Sequence, residues 1–224
     1  MVDLAKARQF IEKSKNICIL PSQTNEPENI AAALALFYTL KESNKNVNLI
    51  VQELPEKLRF LAPSLDFISH PKNLVISIPQ KSDDVSQIYY EKNDQALKIH
   101  LTLDKGNVRK EDISFHFSEI KPDLIITLGA QDFKVQLSNN PNSSVLDINN
   151  IKENKNCSFS EIIIDIIKPS NGSPIKKEAA SCLLAGLIIY TDNFKNSKTT
   201  AEIFKLAGLL TKNGADIKEI TNNI

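Results

Sequence analysis

Glu26 and Glu28, set two residues apart around Pro27, are the carboxylates in this chain best placed to do chemistry. Hard divalent cations such as Mn²⁺ and Mg²⁺ take charged oxygens as ligands. The pair follows the apolar run Ile17-Cys18-Ile19-Leu20-Pro21, and open α/β sheets place ligands just beyond the ends of such strands. Other polar residues follow other apolar runs: Gly129 and Asp132 after Leu124 to Leu128, and Asn149 with Asn150 after Val145 to Ile148. The two asparagines offer hydrogen bonds to a nucleotide. Each of these residues also has a plain structural role. Acids suit the first turn of a helix, asparagine suits a strand-to-loop corner, and Asp132 and Asp192 suit surface or capping positions. Lys176-Lys177 and Lys195 with Lys198 are either phosphate contacts or solvated helix ends. His70, His100 and His116 are scattered singly, and no local Ser-His-Asp or Cys-His signature occurs.

The elements that must hold these residues are readable from periodicity. Residues 2–15 carry Leu4, Ala7, Phe10 and Ile11 at helical spacing. Ile17 to Leu20 is a short run of the kind buried on both faces, and Pro21 ends it. A polar loop from Ser22 to Asn29 leads into an apolar helix, Ile30 to Glu42, and then the strand Val47 to Val51. That is a β-loop-α-β unit, which implies parallel strands and a right-handed crossover. Pro55 to Leu61 reads as a helical turn and Leu74 to Ile78 as a third strand. Val85 to Tyr90 and Ala96 to Leu103 both alternate, which predicts an antiparallel hairpin with one wet face. Asp123 to Leu128 and Ser144 to Ile148 restore the buried parallel pattern. Helices are predicted over Ser160–Lys168, Lys177–Tyr190 and about Thr199–Asn213, the last stopped by Gly214.

Composition narrows the classes. The 224 residues carry 27 basic and 27 acidic side chains, so no global positive field attracts nucleic acid, although a local groove can still be basic. The apolar runs fall short of the ~20 residues that span a bilayer, and residues 1–16 do not resemble a signal peptide, which points to the cytoplasm. Cys18, Cys157 and Cys182 lack metal-type spacing and sit beside apolar residues, so they read as buried free thiols. With six glycines and no G-x-G-x-x-G or Walker pattern, a glycine-rich phosphate cradle is excluded.

The clearest motif runs from Leu146 through Asp147-Ile148-Asn149-Asn150-Ile151 to Asn154 and Asn156. It resembles the signature of the DHH phosphoesterases, a buried strand entering Asp-His-His followed by two spaced asparagines. The branch it resembles is the RecJ-like one of oligoribonucleases and pAp phosphatases. The resemblance covers nearly the whole chain and the family's N-terminal domain. Ile30 to Leu36 with Lys45-Asn46-Val47 is similar to the family's first helix and following strand. Phe194 to Thr200 with Asn213-Gly214-Ala215-Asp216 is similar to its closing helix. The chain ends at Ile224, where the family's connecting segment to a smaller substrate-gripping domain begins, so the resemblance implies that this domain is absent.

Active members hold two metals ~3.5–4 Å apart, and the matching positions here have lost their donors. His-x-x-Pro-Asp-x-Asp has become Ser22 to Glu28, with the imidazole gone and both acids lengthened to Glu26 and Glu28. Gly129 stands where an aspartate follows the strand, with Asp132 at the later acidic position. Asn149, Asn150 and Ile151 replace Asp-His-His. Tyr190-Thr191 replaces Asp-Thr, with Asp192 two places late; Tyr190 either stacks on a base or fills the vacated cavity.

These readings converge on an α/β fold: one domain over 1–224, mainly a parallel sheet with helices on both faces and an antiparallel hairpin inserted at about 83–118. The expected role is that of a catalytically degenerate DHH-like protein with no catalytic residue, metal or cofactor, binding a nucleotide or short oligonucleotide, or a protein. The alternative is a weak Mn- or Mg-dependent phosphoesterase using Glu26, Glu28 and Asp132. A third possibility is a homo-oligomer, or a hetero-oligomer with an active paralogue. No membrane association is expected.

Overall fold

A computed structural model describes residues 3–22, 26–64, 68, 72–78, 85–103, 109, 111, 113–119, 121–130, 142–151, 157–168 and 174–224. Contacts divide the chain into two compact units, residues 1–71 with 120–224, and residues 72–119.

The larger unit is built on a four-stranded parallel sheet. Its strands are β1 (Asn16–Pro21), β2 (Asn46–Leu49), β7 (Leu124–Leu128) and β8 (Ser144–Asp147), in the order β2-β1-β7-β8. The central strands were the easiest to read, and for a physical reason. All five residues of β7 and the last five of β1 are buried, so neither strand needs a polar side. One face of the sheet, with Ile17, Ile19, Leu124 and Ile126, joins the main core. The other buries Cys18, Leu20 and Ile125 with Ile50. From β1 the chain crosses outward to β2, and from β7 it crosses outward to β8. The order therefore reverses between β1 and β7, and the crevice beyond their C-terminal ends is a topological switch point.

Helices α1 (Leu4–Lys13), α2 (Pro27–Glu42), α3 (Phe159–Ile167), α4 (Lys177–Tyr190), α5 (Ala201–Lys212) and α6 (Ile217–Asn223) flank this sheet. Residues 29–37 of α2 are buried without a break, as in a helix apolar all round. Its alanines leave room for α4, which is buried in the same way. At the crossing, Gly186 of α4 has no space for a Cβ, because Ser160 Oγ of α3 already occupies it. The helix α2 starts at Pro27, three residues earlier than the apolar pattern predicts. Proline at the first helical position is the signal that marks this start. Helix α6 carries no strong apolar stripe; the Asp216 side chain caps it by accepting from the backbone of Lys218 and Glu219.

The smaller unit holds two antiparallel ribbons. One pairs β4 (Val85–Lys92) with β5 (Leu97–Leu103), the hairpin predicted from alternation. The other pairs β3 (Lys72–Ser77) with β6 (Ser114–Glu119). Thus β3, which reads as a further strand of the series, instead closes a ribbon with a partner some forty residues downstream. The inserted unit accordingly begins at residue 72, where alternation alone places the insertion at about 83. Among the described residues no helix is long and apolar enough to cross a membrane.

Candidate functional site

A cleft of about 370 Å³ opens where the N-termini of α2 and α3 meet the C-terminus of α4. That is near the small end of the ~300–1,000 Å³ usual for ligand pockets. Glu26, Glu28, Cys157, Phe159, Tyr190 and Lys198 are among the residues that line it. Of the residues singled out in the sequence, Glu26, Glu28, Cys157, Tyr190 and Lys198 therefore come together here.

Glu28 is turned into the protein. Its Oε1 accepts from the backbone N–H of Ser160 at 2.9 Å and from Ser160 Oγ at 3.2 Å. It thereby serves the N-terminus of α3, where free N–H groups and the helix dipole favour an anion. The rest of that terminus is satisfied by a capping box: Ser158 accepts from Glu161 N–H and donates to the Glu161 side chain, which also takes the Ser158 N–H. Burial pushes the Glu28 carboxyl up to about 7, outweighing the donors of Ser160 and Phe159 that lower it, with Glu161 adding repulsion. The acid that reads as a metal ligand or a first-turn helix acid is thus partly buried and committed to a second helix.

Glu26 caps nothing with its side chain; its Oε2 accepts from Asn29 Nδ2 at 3.0 Å. Asn29 is almost fully buried and is the residue that sequence reasoning missed, because it reads as part of a polar loop. Behind it lies Gly129, with φ +71°. A Cβ there would overlap Asn29 Nδ2 and sit 3.4 Å from Ser22 Cβ. Ser22 is buried, and Pro21 and Gly129 form a bridge between the ends of β1 and β7. So Ser22, Glu26 and Gly129 meet around Asn29 at the switch point. An aspartate in place of Gly129 would need a left-handed backbone and the volume that Asn29 fills.

At the end of β8, Asp147 gathers its neighbours. Its Oδ1 accepts from Thr127 Oγ1 (3.0 Å), Asn149 N–H (3.1 Å) and Asn149 Nδ2 (2.8 Å), and its Oδ2 from Asn150 Nδ2 (2.6 Å). The exposed Asn149 and Asn150 are bound to this carboxylate, and Ile151 is buried. The described contacts do not tie this network to the cleft. Asp132, with Asn154 and Asn156, lies outside the described residues.

The wall opposite Glu28 is set by a left-handed turn. Asp192, Asn193 and Phe194 have φ of 49°, 58° and 61°, a conformation that disfavours L side chains. Buried Thr191 holds the turn in place: its Oγ1 donates to Leu187 O and accepts from Phe194 N–H, and its carbonyl accepts from Lys195 and Asn196. The Asn196 amide then donates to Tyr190 O and accepts from Lys198 N–H. That chain of bonds brings Lys198 Nζ over the Tyr190 ring, 4.3 Å from its centroid. Burial, followed by Glu161, Glu28 and Cys157, raises the Tyr190 hydroxyl. Asp192 does not join the cleft but lines another depression with Lys57, Asn193 and Lys195.

The thiols divide. Cys18 and Cys182 are buried as expected, whereas Cys157 is exposed at the cleft. Burial of its sulfur, with Glu161 and Asp165 nearby, pushes its pKa up and disfavours the thiolate, opposite to what a nucleophilic cysteine requires.

Among the described residues no three His, Cys, Asp or Glu side chains come together to hold an ion. Glu26, Glu28 and Asp147 each accept from amides, hydroxyls or backbone of the chain itself.

No protein-family model matches the sequence, and no curated protein matches it. Among solved structures, an exopolyphosphatase-related protein from Bacteroides fragilis is similar in fold. It has a TM-score of 0.66 and 17% identity over 98% of this chain, which spans 59% of that protein's length. The fold of an exopolyphosphatase-related protein is therefore shared.

Proposed function

We propose that this chain is a non-hydrolytic relative of the DHH phosphoesterases whose cleft binds a nucleotide or short oligonucleotide. The observation that carries this reading is the internal satisfaction of its acids. Glu28 is held by Ser160, Glu26 by Asn29 and Asp147 by Thr127, Asn149 and Asn150, so each negative charge already has its partner within the chain. Hydrogen-bond donors do the neutralising that divalent ions would do in an active member.

The cleft is lined by the Tyr190 ring, with Lys198 over it, and by Glu26. An aromatic ring offers a face for a base, worth ~1–3 kcal/mol per stacked base. The Lys198 ammonium, released from the ring, is in reach of a phosphate bound in the same cleft. Stacking and one ammonium predict modest affinity that does not depend on a metal.

The test is binding and turnover together. With pApA in EDTA, the melting temperature is expected to rise with ligand concentration, as for any ligand that binds only the folded state. Addition of Mn²⁺ should leave that rise unchanged, and Tyr190→Ala should abolish it. Mn²⁺-dependent hydrolysis of pApA over many turnovers, lost in the Glu26→Gln, Glu28→Gln double variant, would establish the weak-phosphoesterase reading in its place.

A further inference from the structure

Beside the end of α4 lies a second depression, of about 250 Å³, that shares only Ile189 with the cleft. Three elements bring polar groups to it. The 3₁₀ turn Glu56–Leu61, pinned by buried Leu58 and Leu61, contributes Lys57. The left-handed turn after α4 contributes Asp192, Asn193 and Lys195, and α6, seated by buried Ile220, contributes Thr221. That turn is the unusual part. Aspartate and asparagine tolerate a positive φ, but Phe194 does not, and such backbones persist only where their surroundings impose them, often at ligand sites. Two ammonium groups thus line one small depression against a single carboxylate. Among the described residues none of the three has an ion-pair partner, and the Asn193 side chain takes no hydrogen bond.

We infer that this depression binds the phosphate monoester of a small polyol, of the glycerol phosphate type. Each part of that ligand has a counterpart in the lining. A phosphate dianion matches the two ammonium groups, which a carboxylate would leave half-paired, and the Asn193 amide adds a donor. Asp192 repels a second phosphate and accepts from a hydroxyl instead. That disfavours polyphosphates and a nucleic-acid strand, whose phosphates recur along the chain. Ile188 and Ile189 offer apolar surface to the carbon skeleton. Size sets the other limit. The volume lies below the ~300–1,000 Å³ of ordinary ligand pockets, which suits a phosphate with a few carbons rather than a nucleoside. None of the lining residues is aromatic, so a base finds no ring to stack on. The site is therefore separate from the cleft in chemistry as well as in place.

Equilibrium dialysis of the full chain against labelled glycerol 3-phosphate is expected to show one saturable site, with Kd on the order of 1 mM at low salt. Inorganic phosphate, lacking the hydroxyls, should compete about tenfold more weakly. Lys57→Gln and Lys195→Gln should each weaken the ester about tenfold, and together abolish its binding. Asp192→Asn keeps a side chain suited to the left-handed turn, and should bring the ester and inorganic phosphate to similar affinity. Tyr190→Ala, in the cleft, should leave both unchanged. No saturable binding well above 1 mM overturns the inference, as does binding that survives the double lysine change. Equal affinity for ester and inorganic phosphate in the wild-type chain also overturns it, since the site is then a bare anion patch. The same headgroup occurs on lipids. If the soluble ester fails but the chain co-sediments with phosphatidylcholine vesicles containing phosphatidylglycerol, and the double lysine variant does not, a membrane is the ligand and the small ester is wrong.

Discussion

The two sides of the cleft are closed by different means. On the α3 side an anion is drawn in: Glu28 reaches the N-terminus of a helix that begins 131 residues later in the chain, and Gly186 leaves the space in which its partner Ser160 sits. On the β7 side an amide is drawn in: Asn29 fills the switch point because Gly129 presents no side chain. The first side answers to charge and the second to shape. The end of a cleft can thus be closed either by spreading an acid's charge over hydrogen-bond donors or by filling the volume beside a glycine with a neutral amide. The two solutions respond to different perturbations, so they can be separated.

The largest effect is expected on the shape side. Gly129→Ala must adopt a left-handed backbone, which costs ~1 kcal/mol, and must displace the buried Asn29 amide, which adds ~1–3 kcal/mol. About 3 kcal/mol in total lowers the melting temperature by roughly 9 °C for a chain of this size. Pairing it with Asn29→Ala, which vacates that volume, should recover more than half of the loss. Failure to recover would show that Asn29 is not what Gly129 accommodates.

Gly186→Ala strikes the charge side through its packing. The added methyl overlaps Ser160 Oγ, but the substitution also removes a helix-interior glycine, a gain of ~1 kcal/mol that offsets part of the overpacking. The net loss expected is ~2 kcal/mol, seen in urea unfolding as a lower midpoint with an unchanged slope.

Glu28→Gln isolates the charge itself, because Gln keeps an acceptor for Ser160. The Glu28 carboxyl titrates at about 7 in the folded protein against an ordinary value of 4.5. Between those values the folded state keeps a proton that the unfolded chain releases, so stability contributed by Glu28 falls as pH rises from 4.5 through 7. At pH 4.5 the variant and wild type should melt together. At pH 8 the variant should be more stable by ~1–2 kcal/mol, since it never buries the charge. A variant less stable than wild type at pH 8 would mean that the α3 terminus gains more from the anion than burial takes away.

The same contrast explains what could be read from the sequence. Strands β1 and β7 were legible because burial on both faces writes an unbroken apolar run, and β4–β5 because a wet ribbon alternates. Strand β6 was not, since Ser114-Phe115-His116-Phe117 is short and its partner is remote. Glu26 and Glu28 stood out by type and spacing. The bond from Glu28 to Ser160 spans 132 residues, and no local pattern announces such a contact. Asn29 left a trace that can be used elsewhere: a polar residue just inside a proline-initiated helix whose next turn is wholly apolar. Cys157 left one as well, since its immediate neighbours Asn156 and Ser158 are polar and the apolar residues beyond belong to α3.

The smallest expected effect tests what Lys198 does at the Tyr190 ring. Lys198→Ala removes a cation–π contact at a half-open site, ~0.5–1 kcal/mol, and should lower the melting temperature by only 1–3 °C. Its consequence for ligand binding separates two roles. If Lys198 mainly covers the ring, its removal exposes the aromatic face and an uncharged nucleoside such as adenosine should bind more tightly. If it mainly reaches phosphate, adenosine binding stays level while pApA binding weakens about tenfold and loses part of its salt dependence. The second outcome is expected, because Asn196 fixes Lys198 from its backbone and leaves the side chain able to swing from ring to phosphate.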